Sequence, residues 1–209
     1  MSDTFPVAID GYTDLPPGRI ANVVTFLEMT RPPDSRPIAD DGFSVRRIAN
    51  PQTDAYRALY RRIGENWLWF SRLVMPEAEL GALLAAPTTQ ILTVSRGDTE
   101  VGLAEIDFTV AGEAEIVTFG VVPEATGTGA AHALMARTLA AAFRPGIGRV
   151  WLHTCTFDHP GAVRFYKRWG FTPYKLAIEV SEDPRATGAL PESTAPHVAF
   201  LGGRNPPQR

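Results

Sequence analysis

The chain has 209 residues, a formal net charge of −3 and a single cysteine, Cys155. A chain of this length can bury about 70% of its unfolded surface, so it can hold a core without disulfides or a metal. The mild acidity argues against a nucleic-acid-binding surface, and one cysteine excludes both an internal disulfide and a cysteine-based zinc cluster. No apolar stretch approaches the ~20 residues that span a bilayer, and no secretory signal opens the sequence. We therefore expect a cytoplasmic protein that binds neither nucleic acid nor membrane.

Residues 1–42 are predicted to form a proline-rich arm. One apolar island, Ile20–Met29, interrupts the prolines with valines and a phenylalanine that favour a strand. Pro-Pro pairs on either side prevent this strand from extending. We expect the arm to pack on the main domain through the island, and a partly ordered tail is the alternative.

Residues 43–182 alternate between strand and helix patterns and are predicted to form one mixed α/β domain. Phe43–Ile48 favours a strand, and a helix capped by Asn50 or Thr53 follows it through Tyr60. The order after that is helix, three antiparallel strands, helix, strand, helix and strand. The predicted bounds are Pro76–Ala86, Gln90–Ser95, Val101–Val110, Glu115–Val122, Val150–Thr156, Pro160–Trp169 and Tyr174–Val180, and the helix with an apolar stripe from Ala131 to Phe143 is predicted to end near Pro145-Gly146.

Residues 183–209 are predicted to form a second proline-rich segment. His197–Leu201 favours a short edge strand, and residues 202–209 are expected to be disordered. Because unpaired strand edges invite pairing between chains, Ile20–Met29 and His197–Leu201 are candidate edge strands of a homodimer.

A turn of small residues between a strand and a helix is the most informative stretch. Gly127 and Gly129 allow positive φ, so successive backbone N–H groups can point outward together. The helix that follows adds its free N–H groups and the positive end of its dipole, and this combination suits a phosphate or pyrophosphate. The stretch reads Val121-Val122-Pro123-Glu124-Ala125-Thr126-Gly127-Thr128-Gly129-Ala130-Ala131.

Two common phosphate motifs do not fit this turn. A Walker P-loop needs Lys and Ser or Thr after its last glycine, where Ala130 and Ala131 stand. A dinucleotide fingerprint needs a third glycine, where His132 stands. An enzyme that uses ATP or NAD is therefore disfavoured, and a purely structural connection remains open.

A second motif follows about 25 residues later. Residues 153–171, HTCTFDHPGAVRFYKRWGF, indicate a strand end and then a short helix that stops at Gly170. Ala162, Phe165, Tyr166 and Trp169 share one face of that helix. A tyrosine there, beside a phosphate-binding turn, can donate a proton to a leaving group, and core packing of Tyr166 is the alternative.

Together the two motifs resemble those of the GNAT N-acetyltransferases, over residues 90–180. Val-x-Pro-Glu followed by residues 126–131 is similar to the family's pyrophosphate turn, Gln/Arg-x-x-Gly-x-Gly/Ala. Asp158-His159-Pro160 followed by Ala162, Tyr166 and Gly170-Phe171 is similar to its Asn-x-x-Ala-x-x-Phe/Leu-Tyr-x-x-x-Gly-Phe. Thr126 and His159 depart from the usual Gln/Arg and Asn. The resemblance implies a mostly antiparallel sheet flanked by helices, and transfer of an acetyl group from acetyl-CoA to an amine without a metal.

The resemblance also assigns residues to roles. Tyr166 matches the tyrosine near the CoA sulfur, and Glu115 matches the position where histone-type members carry a catalytic glutamate. Glu115 is the first candidate for the general base, with an exposed strand-end charge as the alternative. Glu105 and Asp107, which share one face of the neighbouring strand, are the reserves. The implied cofactor-binding residues are Val121, Val122, Thr126, Gly127, Thr128, Gly129, Ala130, Ala131, His159 and Ala162.

The sequence says less about the amine that accepts the acetyl group than about acetyl-CoA, which donates it. Trp67 and Trp69 either line the acceptor pocket or belong to the core. Glu105, Asp107 and neighbouring acidic residues favour a cationic amine, which can be a small molecule or a peptide. The second candidate function is a GNAT-like module that holds acyl-CoA as a sensor or scaffold without turnover.

Overall fold

The computed structural model describes residues 6–33 and 42–202. This part of the chain folds into seven strands and five helices, with 3-10 turns at Glu65–Trp67 and Pro123–Ala125. The strands are β1 (Arg19–Met29), β2 (Phe43–Ile48), β3 (Thr89–Arg96), β4 (Thr99–Asp107), β5 (Glu113–Val121), β6 (Arg149–Cys155) and β7 (Thr172–Glu182). The helices are α1 (Thr53–Gly64), α2 (Ser71–Val74), α3 (Glu77–Ala85), α4 (Ala130–Ala142) and α5 (Ala162–Trp169).

All seven strands form one mixed sheet in the order β2-β3-β4-β5-β6-β1-β7. Neighbouring strands are antiparallel, except that β5 and β6 are parallel. The strand of the N-terminal arm, β1, lies inside the sheet, where Val24 pairs with Cys155 on one side and with Ala177 on the other. The edge-strand interpretation of Ile20–Met29 is therefore wrong, because β7 pairs with β1 from Arg19 to Glu28 and β6 pairs with it from Val24 to Met29.

The helices cover the two faces of the sheet. On what we call the α1 face, Tyr56 of α1 donates a hydrogen bond to Glu105 of β4, and Ile63 packs on Gly120 of β5. On the opposite, α4 face, the ring of Phe165 in α5 stacks on Phe119 of β5. The fully buried side chains of the core include Leu27, Val94, Leu103, Ile106, Leu134, Met135 and Leu152.

Two strand predictions differ from the structure by more than two residues. The strand predicted to reach Val110 ends at Asp107, because the Asp107 carboxylate accepts hydrogen bonds from the N–H and hydroxyl of Thr109 at 2.6 and 3.0 Å and turns the chain. The predicted edge strand His197–Leu201 is wrong, since this segment begins with a turn and continues as irregular backbone. Residues 203–209, most of the segment expected to be disordered, lie outside the described residues.

Residues 183–202, the C-terminal cap, are organised around a buried arginine. Arg185 and Asp183 are each 3% exposed, and the guanidinium donates to the Asp183 carboxylate at 2.8 Å. Leu190 of the cap packs with Ile20 of β1 and with Leu68. The other guanidinium hydrogen bonds reach the backbone carbonyls of Thr194, Ala195, Val198 and Ala199. Because every N–H group of the Arg185 guanidinium has a hydrogen-bond acceptor, this buried arginine can stabilise the C-terminal cap, which has neither helix nor strand.

Candidate active site

The parallel strands β5 and β6 separate part-way along their length. They pair only where Glu113–Ile116 meets residues 149–152, although β5 runs on to Val121 and β6 to Cys155. Where two strands diverge, their backbone N–H and C=O groups have no partners on the neighbouring strand, so a ligand can form hydrogen bonds with them. A cavity of about 920 Å³ opens at this gap.

The glycine turn lies at one end of this cavity, between β5 and α4. Gly127 and Gly129 have φ of +77° and +100°, as their position in the turn predicts. The hydroxyl of Thr128 donates back to the carbonyl of Ala125 at 2.7 Å and fixes the turn. The first hydrogen bond of α4 runs from Ala133 to Gly129, so the helix does not use the N–H groups of residues 130–132. The turn therefore presents unused donors beside the cavity.

The predicted cofactor-binding residues fall into two groups. Val121, Thr126, Gly127, Gly129, Ala131, His159 and Ala162 line the cavity. Val122 and Ala130 are buried, and their backbone supports the turn while their side chains belong to the core. Thr128 contributes through its bond to Ala125.

Tyr166 lies on α5 with its side chain in both the core and the cavity wall. It is 8% exposed, and its ring packs edge-on against Phe119 and Phe171. Burial, followed by the negative charge of Asp158, raises the pKa of the Tyr166 hydroxyl well above its ordinary value. Among the described residues that hydroxyl has no hydrogen-bond partner, and Tyr166 lines the cavity. The ring of Tyr166 can therefore pack in the core while its hydroxyl is available to donate a proton into the cavity.

Asp158 joins the end of β6 to the loop after α1. One carboxylate oxygen accepts hydrogen bonds from the Thr154 hydroxyl and the Cys155 N–H, at 2.7 and 2.9 Å. The other accepts from Nε1 of Trp69 at 2.9 Å. The Trp69 side chain lies against Gly64, where a methyl group would overlap it. Trp69 thus contributes to the core and to the cavity wall together, and the bond to Asp158 fixes it over the gap.

Trp67 lies on the cavity wall between two histidines. Its ring meets those of His159 and His197 edge-on, with centroids 5.5 and 5.3 Å apart. His159, which stands where the family usually has asparagine, accepts a hydrogen bond on Nδ1 from the N–H of Gly161 at 3.0 Å. The loop after α1, the start of α5 and the C-terminal cap therefore meet at Trp67.

Glu115 lies on the α1 face of β5, one residue before the strands separate. Burial, followed by the negative charges of Asp107 and Glu105, raises its pKa from 4.5 to about 7, and Arg72 opposes the rise. Glu115 does not line the cavity, but His153 does, and its Nε2 lies 3.9 Å from Glu115 Oε1.

Glu105 and Asp107 lie away from the cavity. The carboxylate of Glu105 is 2% exposed and accepts hydrogen bonds from Arg72 at 2.6 and 3.3 Å and from the Tyr56 hydroxyl. The carboxylate of Asp107 is occupied by Thr109. The structure therefore gives these residues no contact with a substrate in the cavity, and their charges act on Glu115 instead.

The far end of the cavity has polar residues that the sequence reasoning did not find. Asn22 of β1 and Glu179 of β7 line it, and Asn22 Nδ2 donates to Glu179 Oε2 at 2.9 Å. The two residues are 157 positions apart, so no local pattern links them. To predict that Asn22 and Glu179 lie together, one would have to know that the strand of the N-terminal arm lies inside the sheet.

Within the described residues, no group of three or more His, Cys, Asp or Glu side chains is arranged to hold a metal ion. None of the described helices has both the length and the apolar character that crossing a bilayer requires.

Several solved structures share this fold. A GCN5-related N-acetyltransferase from Sphaerobacter thermophilus is 20% identical, with a TM-score of 0.57 over 78% of this chain and 52% of its own. A conserved protein of unknown function from Staphylococcus epidermidis is 16% identical, with a TM-score of 0.56 over 79% of this chain and 64% of its own. The chain thus spans less than two thirds of either protein.

An aminoglycoside acetyltransferase from an uncultured soil metagenomic sample is 19% identical, with a TM-score of 0.52 over 63% of this chain and 89% of its own. At these identities the structures show a shared fold. Among curated proteins, none matches the sequence.

The sequence itself matches a family profile. The profile of the Acetyltransferase (GNAT) family covers residues 53–171, more than half of the chain. The resemblance inferred from the two motifs is thereby confirmed, as is the mixed, mostly antiparallel α/β fold. Since the matched segment contains β5, the glycine turn and α5, the chain belongs to the GNAT family of acetyltransferases.

Proposed function

We propose that the protein transfers an acetyl group from acetyl-CoA directly to a primary amine. The family supports acyl transfer, and the gap between β5 and β6 with the glycine turn beside it is the observation that carries the proposal. Bound acetyl-CoA supplies the acetyl group as a thioester.

The turn fits a pyrophosphate. A side chain at Gly127 would point into open space, where a phosphate can approach the backbone. The N–H groups of residues 130–132 and the helix dipole stabilise negative charge there, and the side chains of Arg164 and Arg168 also line the cavity. These backbone donors do not depend on the side chains of Thr126 and His159, so neither departure from the family motif removes the cradle.

Tyr166 is the proposed proton donor to the departing thiolate. Its raised pKa keeps the hydroxyl protonated at neutral pH, and its hydroxyl is not engaged by another described residue. A neutral donor in a buried wall can protonate a leaving group without first losing a competing hydrogen bond.

Glu115 is the proposed general base, acting from behind His153. A carboxylate with a pKa of about 7 can accept a proton near neutral pH, which a carboxylate of ordinary acidity does poorly. His153 lines the cavity and its Nε2 lies 3.9 Å from Glu115 Oε1, so the imidazole relays the proton of the amine to the Glu115 carboxylate.

Calorimetric titration with acetyl-CoA tests donor binding, with ATP and NAD as controls. We expect selective binding at micromolar concentrations. Gly127→Ala should weaken it by about tenfold, because it adds a side chain where the phosphate approaches and strains a residue at positive φ. Gly97→Ala is the matched control, since Gly97 also has positive φ and open space but lies in the β3–β4 turn.

Release of CoA in the presence of a panel of amines tests turnover. Turnover of at least one amine above ~0.1 s⁻¹ supports catalysis, as typical enzymes run at ~1–10³ s⁻¹. Binding of acetyl-CoA without CoA release from any amine would favour the non-catalytic acyl-CoA module. No binding at millimolar acetyl-CoA would refute both.

A further inference from the structure

The cavity is larger than the gap between β5 and β6 requires. It continues along the α1 face of β6 and β1 as far as β7, where Asn22, Glu179 and Ser181 line it. Glu179 lies two strands beyond β6, which is about 10 Å at ~4.8 Å per strand. Its partner Asn22 lies two residues, about 7 Å, along β1 from Val24, which pairs with Cys155 at the edge of the gap, so the separation from that edge is about 12 Å. An acceptor whose reacting nitrogen lies at the gap therefore has room for a second group at β7.

The polar groups at this far end are only partly satisfied. The carboxylate of Glu179 accepts a hydrogen bond from Asn22 Nδ2, and it forms no ion pair with a described residue. Asn22 is 6% exposed, and its Oδ1 has no hydrogen-bond partner in the described chain. An acceptor buried without a donor is costly, so the site favours a ligand that brings N–H groups.

The charge at this end is negative. Burial first, and then the charges of Asp158 and Glu179, raise the pKa of the Cys155 thiol on the same cavity wall to about 11. The arginines that line the cavity lie elsewhere: Arg72 is paired with Glu105, and Arg164 and Arg168 belong to α5 on the α4 face. A cation is therefore the charge that this end stabilises.

The C-terminal cap packs beside one side of this end. Leu190 and Ala195 of the cap pack on Ile20 and Leu68, which both line the cavity near its far end. Arg185 holds the cap in this position through Asp183 and four backbone carbonyls. The cap thus supports the wall of the far end on one side, while Glu179 on the edge strand β7 is exposed and can be reached by a ligand.

We propose that the acceptor is a diamine with its two nitrogens about 12 Å apart. One nitrogen, as the neutral amine, forms the C–N bond at the gap while the C–S bond of acetyl-CoA breaks; the amine loses a proton to the base and the thiolate gains one. The second nitrogen stays an ammonium and donates to Glu179, Asn22 and Ser181. This inference rests on the proposed acetyl transfer and names its substrate class.

Matched amine pairs test the proposal at saturating acetyl-CoA. Octamethylenediamine is compared with n-octylamine, and hexamethylenediamine and ethylenediamine with their own monoamines. We expect kcat/KM to be about tenfold higher for octamethylenediamine than for n-octylamine, which is the effect of one charge-assisted hydrogen bond. Ethylenediamine, which is too short to reach Glu179, should show no such advantage. Equal kcat/KM for the octyl pair would overturn the proposal.

Glu179→Gln should abolish the preference for octamethylenediamine over n-octylamine, measured as the ratio of their kcat/KM values within each variant. Glu182→Gln is the control, because Glu182 lies on the same strand with an exposed ion pair to Arg19 at 3.6 Å. A preference that survives Glu179→Gln, or that Glu182→Gln removes equally, would overturn the assignment of Glu179.

Calorimetry with octamethylenediamine separates this inference from the proposed function. Binding to the wild type that weakens about tenfold in Glu179→Gln supports the second amine site even if no amine is acetylated. If the wild type and Glu179→Gln bind octamethylenediamine equally well, the second amine site is refuted. If monoamines are acetylated in the same experiments, the proposed acetyl transfer is still supported.

Discussion

Replacing Glu115 with glutamine tests the electrostatics beside the gap. In the folded protein burial and two nearby carboxylates raise the pKa of Glu115 from 4.5 to about 7. The folded state therefore binds a proton more tightly than the unfolded state, and the stability associated with that proton is lost as pH rises from about 4.5 through about 7. Glu115→Gln removes this loss because glutamine does not ionise.

The magnitude follows from the two pKa values. The difference between 4.5 and about 7 corresponds to about 3 kcal/mol at ~1.4 kcal/mol per pKa unit. The side chain is 26% exposed, so solvent screening reduces this, and we expect about 1–2 kcal/mol. Between about pH 5 and about pH 8, the free energy of unfolding of Glu115→Gln should rise by that amount relative to the wild type.

Urea denaturation at several pH values measures this difference. Glu113→Gln is the control, because Glu113 is two residues earlier on the same face and is ion-paired with Arg149 at 2.8 Å. That variant should lose about 0.5 kcal/mol at both ends of the pH range, without a trend. If the free energy of unfolding of Glu115→Gln relative to the wild type stays constant or falls as pH rises, then burial and the nearby carboxylates do not raise the pKa of Glu115.

Three further predictions concern other contacts. Tyr166→Phe should lower kcat by ~10-fold or more with unchanged acetyl-CoA affinity by calorimetry, and equal turnover at saturation would remove its hydroxyl from the mechanism. Trp69→Phe keeps a ring on Gly64 but leaves one Asp158 oxygen without its donor, so thermal unfolding should show a loss of about 1 kcal/mol; no loss would mean that water replaces the indole. Arg185→Met should raise amide hydrogen exchange in residues 183–202 at least tenfold without changing exchange in β4, because an unpaired Asp183 costs about 3–5 kcal/mol locally; unchanged exchange would show that other contacts hold the cap.

The parts of the site that could be predicted from the sequence are those in which neighbouring residues act together. Gly127 and Gly129 belong to one turn, and Tyr166 and Gly170 belong to one helix, so local conformational preferences indicate their positions. The raised pKa of Glu115 could not be predicted, because it depends on which carboxylates lie across the sheet and on how far the strand is buried.

The parts that could not be predicted depend on pairing between distant segments. An apolar strand bounded by prolines resembles an edge strand, and nothing within Ile20–Met29 shows that it has partners on both sides. The same holds for the C-terminal cap, where one arginine replaces the regular hydrogen bonding of a strand. In both cases long-range contacts determine the structure, and the local conformational preferences of the residues do not distinguish it from the alternatives.

The position of β1 has a consequence for the order in which the protein is assembled. During synthesis β1 emerges before any other strand of the sheet, but its partners β6 and β7 are made last. Asn22 and Glu179 meet only after 157 residues of chain have been closed into a loop, so this end of the sheet has a high contact order and should form late. Until then β1 is an apolar segment without a partner, and a nascent chain that stalls before β6 leaves it free to pair wrongly. β7 reaches the sheet through β1 alone, so the last strand to be made is secured by the first.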